Sequence, residues 1–361
     1  MPTLITSDET LKILDAEGMQ RFLQLQNDAV SAVTERFYAT HGSSYERFGP
    51  SGRKACRDDL AFHLEFLRPV LEFGLLKPMV DYLQWLSSVL TSRMIPNEHL
   101  AVSLDWLAEF FAEKMSTTDG TVVVAALLAA RKQFLETDYL PPVMCSTETW
   151  AEATELEAAL LAGRQPEVSA IINRCIDAGH SLIDIEIHVI QPALYGIGAK
   201  WQTNQVSVAQ EHLASAMAQS LMTSALLRYR LPVSTGKRVL LACVAGNTHA
   251  IGLRMVTDAF QLAGWEVQYL GADVPTPALI KQVIDWKPDL LALSVSFPHQ
   301  LKTVRDVISR LSQVLGDTRP AIILGGLAIN RFNQLANVVG ADTWSPDARS
   351  AVDDVEKIVR R

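Results

Sequence analysis

Residues 237–264 read KRVLLACVAGNTHAIGLRMVTDAFQLAG, and within this stretch the periodicity of the apolar residues changes. From Val239 to Val244 the residues are apolar without interruption, which is typical of a strand buried on both faces of a sheet. From Ile251 onward, apolar residues recur at helical spacing. The stretch therefore predicts a strand, a polar loop and a helix, which together form the first repeat of a parallel α/β sheet.

The same alternation continues through the rest of the sequence. Further apolar runs read EVQYLG, DLLALSVS and AIILGG, helical patterns separate them, and a short ADTW strand precedes a last helix. We take the long runs to be strands buried on both faces. The pattern predicts a flavodoxin-like (Rossmann-type) doubly wound sheet over residues 236–361, in which ligands bind at the carboxyl ends of the strands.

Helical patterns fill the sequence before the sheet. In residues 1–142 apolar residues recur at i, i+3, i+4 and i+7, and the Pro141–Pro142 pair marks the end of this block. Residues 146–231 divide into helical segments that predict a small four-helix bundle. We therefore expect a multidomain chain with an all-helical domain, a bundle and an α/β domain.

Composition and charge limit the classes of function. Hydrophobic residues make up 48% and charged residues 20% of the 361 residues, which is enough for full-sized cores. The net charge of -8 argues against a general nucleic-acid or anionic-membrane surface. No signal-peptide pattern begins the sequence, and residues 121–130, its longest apolar stretch, are too short to span a bilayer. We expect a cytoplasmic protein with no direct nucleic-acid or membrane partner.

The cysteines are scattered and form no CxxC pair, which fits reduced thiols and not a disulfide framework or a zinc site. They are Cys56, Cys145, Cys175 and Cys243.

Polar residues and glycines follow three of the predicted strands. A histidine in the loop after the first strand would lie at the ligand-binding edge, and Gly252 would let the following helix start close to a bulky group. Because parallel strands end at the same edge of a sheet, these residues are expected to form one site. They are Asn247, Thr248, His249, Ile251 and Gly252 after the first strand, Ser294 and Ser296 after the third, and Gly325 and Gly326 after the fourth.

These elements resemble the cobalamin-binding fold shared by methionine synthase, corrinoid proteins of methyl transfer, mutases and cobalamin photoreceptors. Its motif is Asp-x-His-x-x-Gly, then Ser-x-Leu, then Gly-Gly, at similar spacing. The resemblance covers residues 145–361 and implies that His249 is the lower axial ligand of cobalt. It also implies that Ser294 lies near the benzimidazole of the nucleotide tail, and that Gly325 and Gly326 leave room for this tail.

Two residues depart from the family pattern. Asn247 replaces the aspartate behind the ligand histidine, and Ser296 replaces the leucine. An amide oxygen can accept the imidazole N–H but donates less charge than a carboxylate, so a weaker histidine–cobalt bond is expected. The alternative interpretation is that His249 is a polar loop residue and the glycines are ordinary turns; the agreement of all the elements and their spacings favours cobalamin.

The helical bundle carries a further pattern, Trp-x9-Glu-His, which ends at Glu211 and His212. Ser207 and Gln210 form a capping-box pattern just before it. The pattern resembles light-sensing cobalamin proteins of the CarH group and implies that Trp201 packs against the adenosyl group of adenosylcobalamin, with Glu211 and His212 near it. An indole suits packing against a nucleoside, and a carboxylate accepts hydrogen bonds from ribose hydroxyls. The alternative is a core tryptophan and a solvated Glu-His pair.

Gln202 follows this tryptophan at the position where some light-sensing relatives have a histidine. The resemblance therefore excludes a bis-imidazole state of cobalt that uses position 202.

The long helices of residues 1–142, around CRDDLAFHLEFL, resemble the degenerate globin-like domain of photocobilins, which pair a cobalamin domain with a biliverdin site. Arg53 and Arg57 lie one helical turn apart and would meet the two propionates, and His63 lies on the same helix. The alternative is a helical dimerisation or docking domain whose basic residues form a solvated face. A haem globin is disfavoured because no single histidine stands out as a proximal ligand.

Together these patterns predict a non-enzymatic photoreceptor that holds adenosylcobalamin between the bundle and the α/β domain, with biliverdin in the first domain. Two alternatives stay open: a corrinoid shuttle for methyl transfer, and a cobalamin-sensing module that docks a transcription factor. Because the sequence shows no output segment, we expect the signal to act through a homo-oligomer or an output-protein partner.

Overall fold

The computed structural model describes residues 11–137 and 148–359. The chain forms two compact units, residues 1–142 and 143–361, so the bundle and the α/β domain lie together in the second unit. Pro141–Pro142, Cys145 and the N-terminal stretch in which we saw no signal peptide lie outside the described residues.

Long helices form the described part of the first unit, which confirms the all-helical prediction; its globin-like character stays a prediction. The helices enclose an apolar core in which Phe22, Leu64 and Phe111 have no exposed surface. The helices are α1 (Ala16–Tyr45), α2 (Gly49–Phe73), α3 (Leu76–Thr91), α4 (Asn97–Lys114) and α5 (Thr117–Glu136).

A four-helix bundle opens the second unit, as predicted. Its third helix contains a segment of π-helix that the sequence did not reveal, since a π turn inserts one extra residue without changing composition. The bundle comprises α6 (Ala151–Leu161), α7 (Gln165–Asp177), then α8 (Leu182–Ile185), the π segment (Glu186–Ile190) and α9 (Gln191–Gln202), and last α10 (Val208–Leu226).

A parallel sheet with helices between its strands forms the rest of the second unit. Its order, β2-β1-β3-β4-β5, is the flavodoxin-like order that the sequence predicted. The strands are β1 (Arg238–Val244), β2 (Glu266–Val274), β3 (Leu290–Ser294), β4 (Ala321–Gly325) and β5 (Thr343–Trp344). The helices are α11 (Ile251–Leu262), α12 (Thr276–Trp286), α13 (Leu301–Leu315), α14 (Leu327–Arg331), α15 (Gln334–Val339) and α16 (Ala348–Ile358).

The strand order reverses between β1 and β3, and this position defines the site. The connections from these neighbouring strands leave in opposite directions, which opens a crevice above their carboxyl ends. The register pairs Cys243 with Ser294 and Ser294 with Gly325, so the ends of β1, β3 and β4 meet at one edge. The structure therefore brings the predicted strand-end residues together.

One strand prediction needs correction. β2 is not buried on both faces, because it is the edge strand and pairs only with β1 in the described sheet. Tyr269 and Leu270 are each 36% exposed. An edge strand lacks a neighbour on its outer side, so its apolar residues stay partly open to solvent.

The conformation and close packing of the backbone at Gly326 require a glycine there. Its φ is +97°, and a Cβ there would lie 2.5 Å from the carbonyl oxygen of Val295. By contrast, a Cβ on Gly252 would meet no atom within 4 Å. Gly326 therefore lets the turn after β4 approach the loop after β3, whereas Gly252 leaves open space above the start of α11.

Gly326→Ala is predicted to lower the free energy of unfolding by roughly 2–4 kcal/mol, since it combines a clash with a strained φ. Urea unfolding measures this loss. Gly252→Ala is the matched control, because nothing obstructs its methyl group. Alanine also stabilises a helix by roughly 0.5–1 kcal/mol relative to glycine. Equal losses in the two variants would contradict this explanation.

Candidate functional site

Asn247 is the buried centre of the loop after β1. Its side chain has no exposed surface, and its Nδ2 donates to the carbonyl of Ser294 at 2.9 Å. Its Oδ1 accepts the main-chain N–H of His249 at 3.1 Å. We predicted that this oxygen accepts the imidazole N–H; the structure corrects this, because the amide is directed inward to satisfy buried backbone groups. Asn247 therefore holds the backbone of the loop and not the imidazole.

His249 stands on this loop with its side chain exposed. Its ring meets Phe297 edge to face, with ring centroids 5.2 Å apart. Desolvation by the surrounding residues lowers the pKa of His249, and the nearby carboxylate of Glu211 opposes this effect. A lowered pKa keeps the imidazole neutral near pH 7, which is the form that binds a metal.

Gln300 joins the loop after β3 to the loop after β1, and sequence reasoning missed it. It is 2% exposed, and its Oε1 accepts the main-chain N–H groups of Ser296 (3.1 Å) and Phe297 (3.2 Å). Its Nε2 donates to the carbonyl of Gly246 at 2.9 Å. The one signal in the sequence is a polar residue at the predicted start of a helix, which is too common a pattern to single out.

Ser294 and Ser296 lie beneath this connection, 6% and 9% exposed. Both residues are therefore largely shielded from solvent. Thr248 is exposed at the tip of the loop. Ile251, the first residue of α11, packs against the hydrophobic core of the bundle.

The predicted cap residues lie at the ends of two bundle helices. Trp201 is half-buried in the last turn of α9 and packs against the bundle core. Glu211 lies in the first turn of α10, where its Oε1 accepts from the Ser215 hydroxyl at 2.7 Å and its Oε2 contacts His212. His212 is exposed. Because the charge of Glu211 acts on His249, the start of α10 and the loop after β1 are near each other.

The capping box predicted for α10 is confirmed. The Ser207 hydroxyl accepts from the main-chain N–H of Gln210, and the Gln210 side chain accepts from the main-chain N–H of Ser207. Local hydrogen bonds thus fix the start of the helix that presents Glu211.

The chemistry of this crevice fits a corrinoid better than a bare metal ion. No group of three or more histidine, cysteine, aspartate or glutamate side chains with ligand geometry occurs in residues 11–137 or 148–359. A bare ion would need such a set, whereas a corrin carries its own equatorial nitrogens and needs one imidazole. His249 supplies that imidazole, and a Cβ at Gly246 or Gly252 would meet no atom within 4 Å, which leaves space beside it.

In the first unit, Arg53 and Arg57 lie against α1. Arg53 pairs with Glu35 and stacks over Tyr38, with its guanidinium carbon 4.9 Å from the ring centroid. Arg57 donates to the hydroxyl of Ser31 at 3.4 Å. The structure thus keeps the two arginines on one partly exposed face.

His63 does not share this face. It is 2% exposed and bonded to the Tyr82 hydroxyl at 2.9 Å, and burial lowers the pKa of His63 to about 3. It is a neutral core residue in the described structure, because a charged imidazole would be desolvated there without a counter-charge.

Aromatic and histidine side chains form a cluster between α1 and α4 that the sequence did not predict. The rings of His41 and His99 lie 4.2 Å apart, and the Tyr45 hydroxyl is 2.6 Å from Nδ1 of His99. Trp106 stacks on His41 with centroids 6.0 Å apart. These contacts join residues that are far apart in the sequence, so they depend on tertiary packing.

None of the helices in the described ranges is long and apolar enough to cross a membrane.

Comparison with known families agrees with this site. Residues 237–355 match the B12 binding domain family, and residues 152–225 match a second family with the same description. The second unit is therefore a cobalamin-binding domain with its helical cap.

The similar proteins are regulators and corrinoid proteins. The chain is 28% identical to the HTH-type transcriptional repressor CarH of Myxococcus xanthus over 66% of this chain and 81% of that protein. It is 30% identical to the repressor CarA of the same organism over 47% and 57%. It is 29% identical to dimethylamine corrinoid protein 3 of Methanosarcina acetivorans over 40% and 68%. The prediction of a non-enzymatic protein is confirmed by these relatives.

A solved structure shows the same fold. The monomethylamine corrinoid protein of Methanosarcina barkeri has a TM-score of 0.50 and 19% identity, over 56% of this chain and 96% of that one.

The exclusion of nucleic acid as a direct partner is not supported. Two of the similar proteins are named as HTH-type transcriptional repressors. The net charge of a whole chain does not report the charge of a local surface, so it does not exclude a nucleic-acid partner.

Gln300→Met is predicted to lower the free energy of unfolding by about 2–4 kcal/mol, because it removes the hydrogen bonds to the main-chain N–H groups of Ser296 and Phe297 and to the carbonyl of Gly246. Urea unfolding measures the change. Gln313→Met, on the exposed face of α13, is the control and should change the free energy by less than about 0.5 kcal/mol. A result for Gln300→Met as small as the control would refute its role in joining the loops.

Proposed function

We propose that this chain is a light sensor that binds adenosylcobalamin in its second unit, with His249 as the lower axial ligand. The observation that carries the proposal is the exposed imidazole of His249 on a loop that Asn247 holds in place. The open space at Gly252 supports the same interpretation. When bound, adenosylcobalamin would supply absorption of visible light and a light-sensitive cobalt–carbon bond.

The proposed upper pocket consists of Trp201, Glu211 and His212. The indole offers a flat apolar face for a nucleoside, and Glu211 offers a carboxylate oxygen to ribose hydroxyls. The influence of Glu211 on His249 supports a pocket between the bundle and the sheet. Below the corrin, Ser294, Ser296 and the glycines after β4 would line the slot for the nucleotide tail. The domain boundaries that we propose are 1–142, 146–231 and 236–361.

His249→Ala is predicted to remove the spectrum of histidine-ligated cobalamin. It should also weaken the affinity for cobalamin roughly tenfold or more, which corresponds to a loss of about 1.4 kcal/mol of binding free energy. The absorption spectrum of the purified, reconstituted protein and equilibrium dialysis provide the measurements. His180→Ala is the control, since it removes an exposed imidazole outside the strand-end loops. An unchanged spectrum in His249→Ala would refute the assignment of His249 as the lower axial ligand.

Trp201→Ala is predicted to lower the affinity for adenosylcobalamin relative to methylcobalamin by roughly fivefold to a hundredfold, since stacking on a base contributes about 1–3 kcal/mol. Parallel titrations with the two cobalamins give this ratio. Trp286→Ala is the control, because Trp286 lies beside Arg238 at the amino end of β1. A ratio equal to that of the wild type would remove Trp201 from the pocket.

The similarity to corrinoid proteins favours a second candidate function, a shuttle for methyl transfer. The similarity to repressors favours a third, a regulatory module that docks a transcription factor. Absorption spectra of the adenosyl-loaded protein before and after green light separate them. A light-dependent change supports the sensor, whereas a shuttle predicts methylcobalamin and a methyltransferase partner. In the sensor, the signal would act through a homo-oligomer or an output protein.

For the first unit we propose a non-covalently bound biliverdin. Arg53 and Arg57 share a face that two propionates could meet by displacing Glu35, and aromatic side chains line the neighbouring helices. Burial raises the pKa of Cys56 to about 11, which keeps this thiol protonated and a poor nucleophile. His63 is left out of the proposed contacts because Tyr82 engages it in the core.

Co-expression with a haem oxygenase is predicted to give the purified protein a red or far-red absorption band that is lost from the chain on a denaturing gel. The double variant Arg53→Gln, Arg57→Gln should weaken this band, and Lys54→Gln, exposed between them, should not. A band that stays with the denatured chain would refute non-covalent binding. No band with cobalamin still bound would favour a docking or dimerisation domain.

A further inference from the structure

Two buried carboxyl groups face each other where the bundle packs against α11. Glu186 belongs to the π segment and Asp258 to α11, and neither has exposed surface. The two groups are close enough for each to act on the pKa of the other. Yet both oxygens of Glu186 and Oδ2 of Asp258 have no donor among the described N–H and O–H groups. Since two carboxylates have no proton to share, one of these groups must be protonated to satisfy the other.

Charge balance leads to the same conclusion. Oδ1 of Asp258 accepts from Nε of Arg254 at 2.8 Å, so one carboxylate already balances this guanidinium. A second buried carboxylate would have no counter-charge, which is costly at low dielectric. Burial and the Asp258 carboxylate raise the pKa of Glu186 well above its ordinary range.

We propose that Glu186 and Asp258 form a proton-binding site that joins the bundle to the α/β domain. Glu186 carries the proton and donates it to Oδ2 of Asp258, whose other oxygen Arg254 occupies. None of its residues belongs to the proposed cobalamin site.

The neighbouring elements contribute further titratable groups. The pKa of Tyr229, after α10, and of Tyr269, on β2, is raised mainly by burial and in smaller part by Glu186 and Asp258 respectively. Cys175 on α7 is buried, and burial raises its pKa. These groups are neutral near pH 7 and leave the charge balance unchanged.

Charged groups on the neighbouring helices form ion pairs with one another. Asp184 on α8 is bound by Arg349 of α16. On α6, Glu155 pairs with Arg174 and Glu157 with Lys200. Arg254 is therefore the cation that sets the charge state of the buried pair.

The position of the pair links its protonation to the contact between the bundle and α11. α11 begins two residues after His249, and the helix that contains Glu186 continues through α9 to Trp201. Separation of the bundle from α11 would expose both carboxyl groups to water, and Glu186 would then ionise and release its proton. The closed arrangement is thus favoured as the pH falls. The use of this coupling in signalling rests on the proposed function; the proton site does not.

Infrared spectroscopy of the full chain in the dark at about pH 8 tests the site directly. Asp59, whose pKa burial raises to about 6, is ionised there and does not interfere. Wild type should show the carbonyl stretch of a protonated carboxylic acid, and Glu186→Gln should lack it. Asp258→Asn should also lack it, because Glu186 then balances Arg254 as a carboxylate.

The pH dependence of unfolding gives a second measurement. At pH values above the ordinary pKa of glutamic acid, the folded chain still holds this proton and unfolding releases it. Each rise of one pH unit should therefore increase the unfolding equilibrium constant of wild type about tenfold more than that of Glu186→Gln. Urea unfolding followed by pulsed hydrogen exchange of α11 peptides measures it between about pH 5.5 and 7.5. Glu155→Gln, exposed on α6, is the matched control and should keep the wild-type slope and carbonyl band.

Loss of the band and of the extra slope in Glu186→Gln supports the proton site. A wild type without the band, or a Glu186→Gln chain that keeps both, overturns it. Since both measurements are made in the dark, a protein that proves insensitive to light leaves their outcome unaffected.

Discussion

Two buried side-chain amides hold the carboxyl edge of the sheet together, and the candidate site depends on them. Asn247 bonds the loop after β1 to the last residue of β3, and Gln300 bonds the loop after β3 back to Gly246. Parallel strands leave their last N–H and C=O groups without sheet partners, and burial makes each such group costly unless it is bonded. The same bonds that satisfy this backbone also fix the position from which His249 projects.

Most of the fold could be predicted from periodicity, for a physical reason. Central parallel strands such as β1 and β3 must be apolar on both faces, and amphipathic helices must cover them. The hydrophobic pattern therefore predicts the order of strands and helices along the chain. The pattern could not show that β2 is an edge strand, since EVQYLG resembles the central strands. It also could not show the π segment at Glu186–Ile190, which depends on how the third bundle helix meets its neighbours.

The site was predictable to the extent that strand ends determine it. His249, Ser294 and Gly325 come together because the register of the sheet aligns their strands. The direction of the Asn247 amide, the bonds of Gln300 and the meeting of Glu186 with Asp258 were not predictable, since each is a contact between segments distant in sequence. His63 illustrates the same limit: it lies on the helix of Arg53 and Arg57, but on its buried side.

The capping box of α10 has a consequence for molecular recognition. Ser207 and Gln210 fix the first turn of this helix, and the Ser215 hydroxyl fixes the carboxylate of Glu211 within it. A glutamate side chain that is free in solution loses up to about 2 kcal/mol of rotamer entropy when it is immobilised. Here folding has already ordered the group, so a molecule that hydrogen-bonds to Glu211 meets a preorganised acceptor and retains more of its interaction energy as affinity.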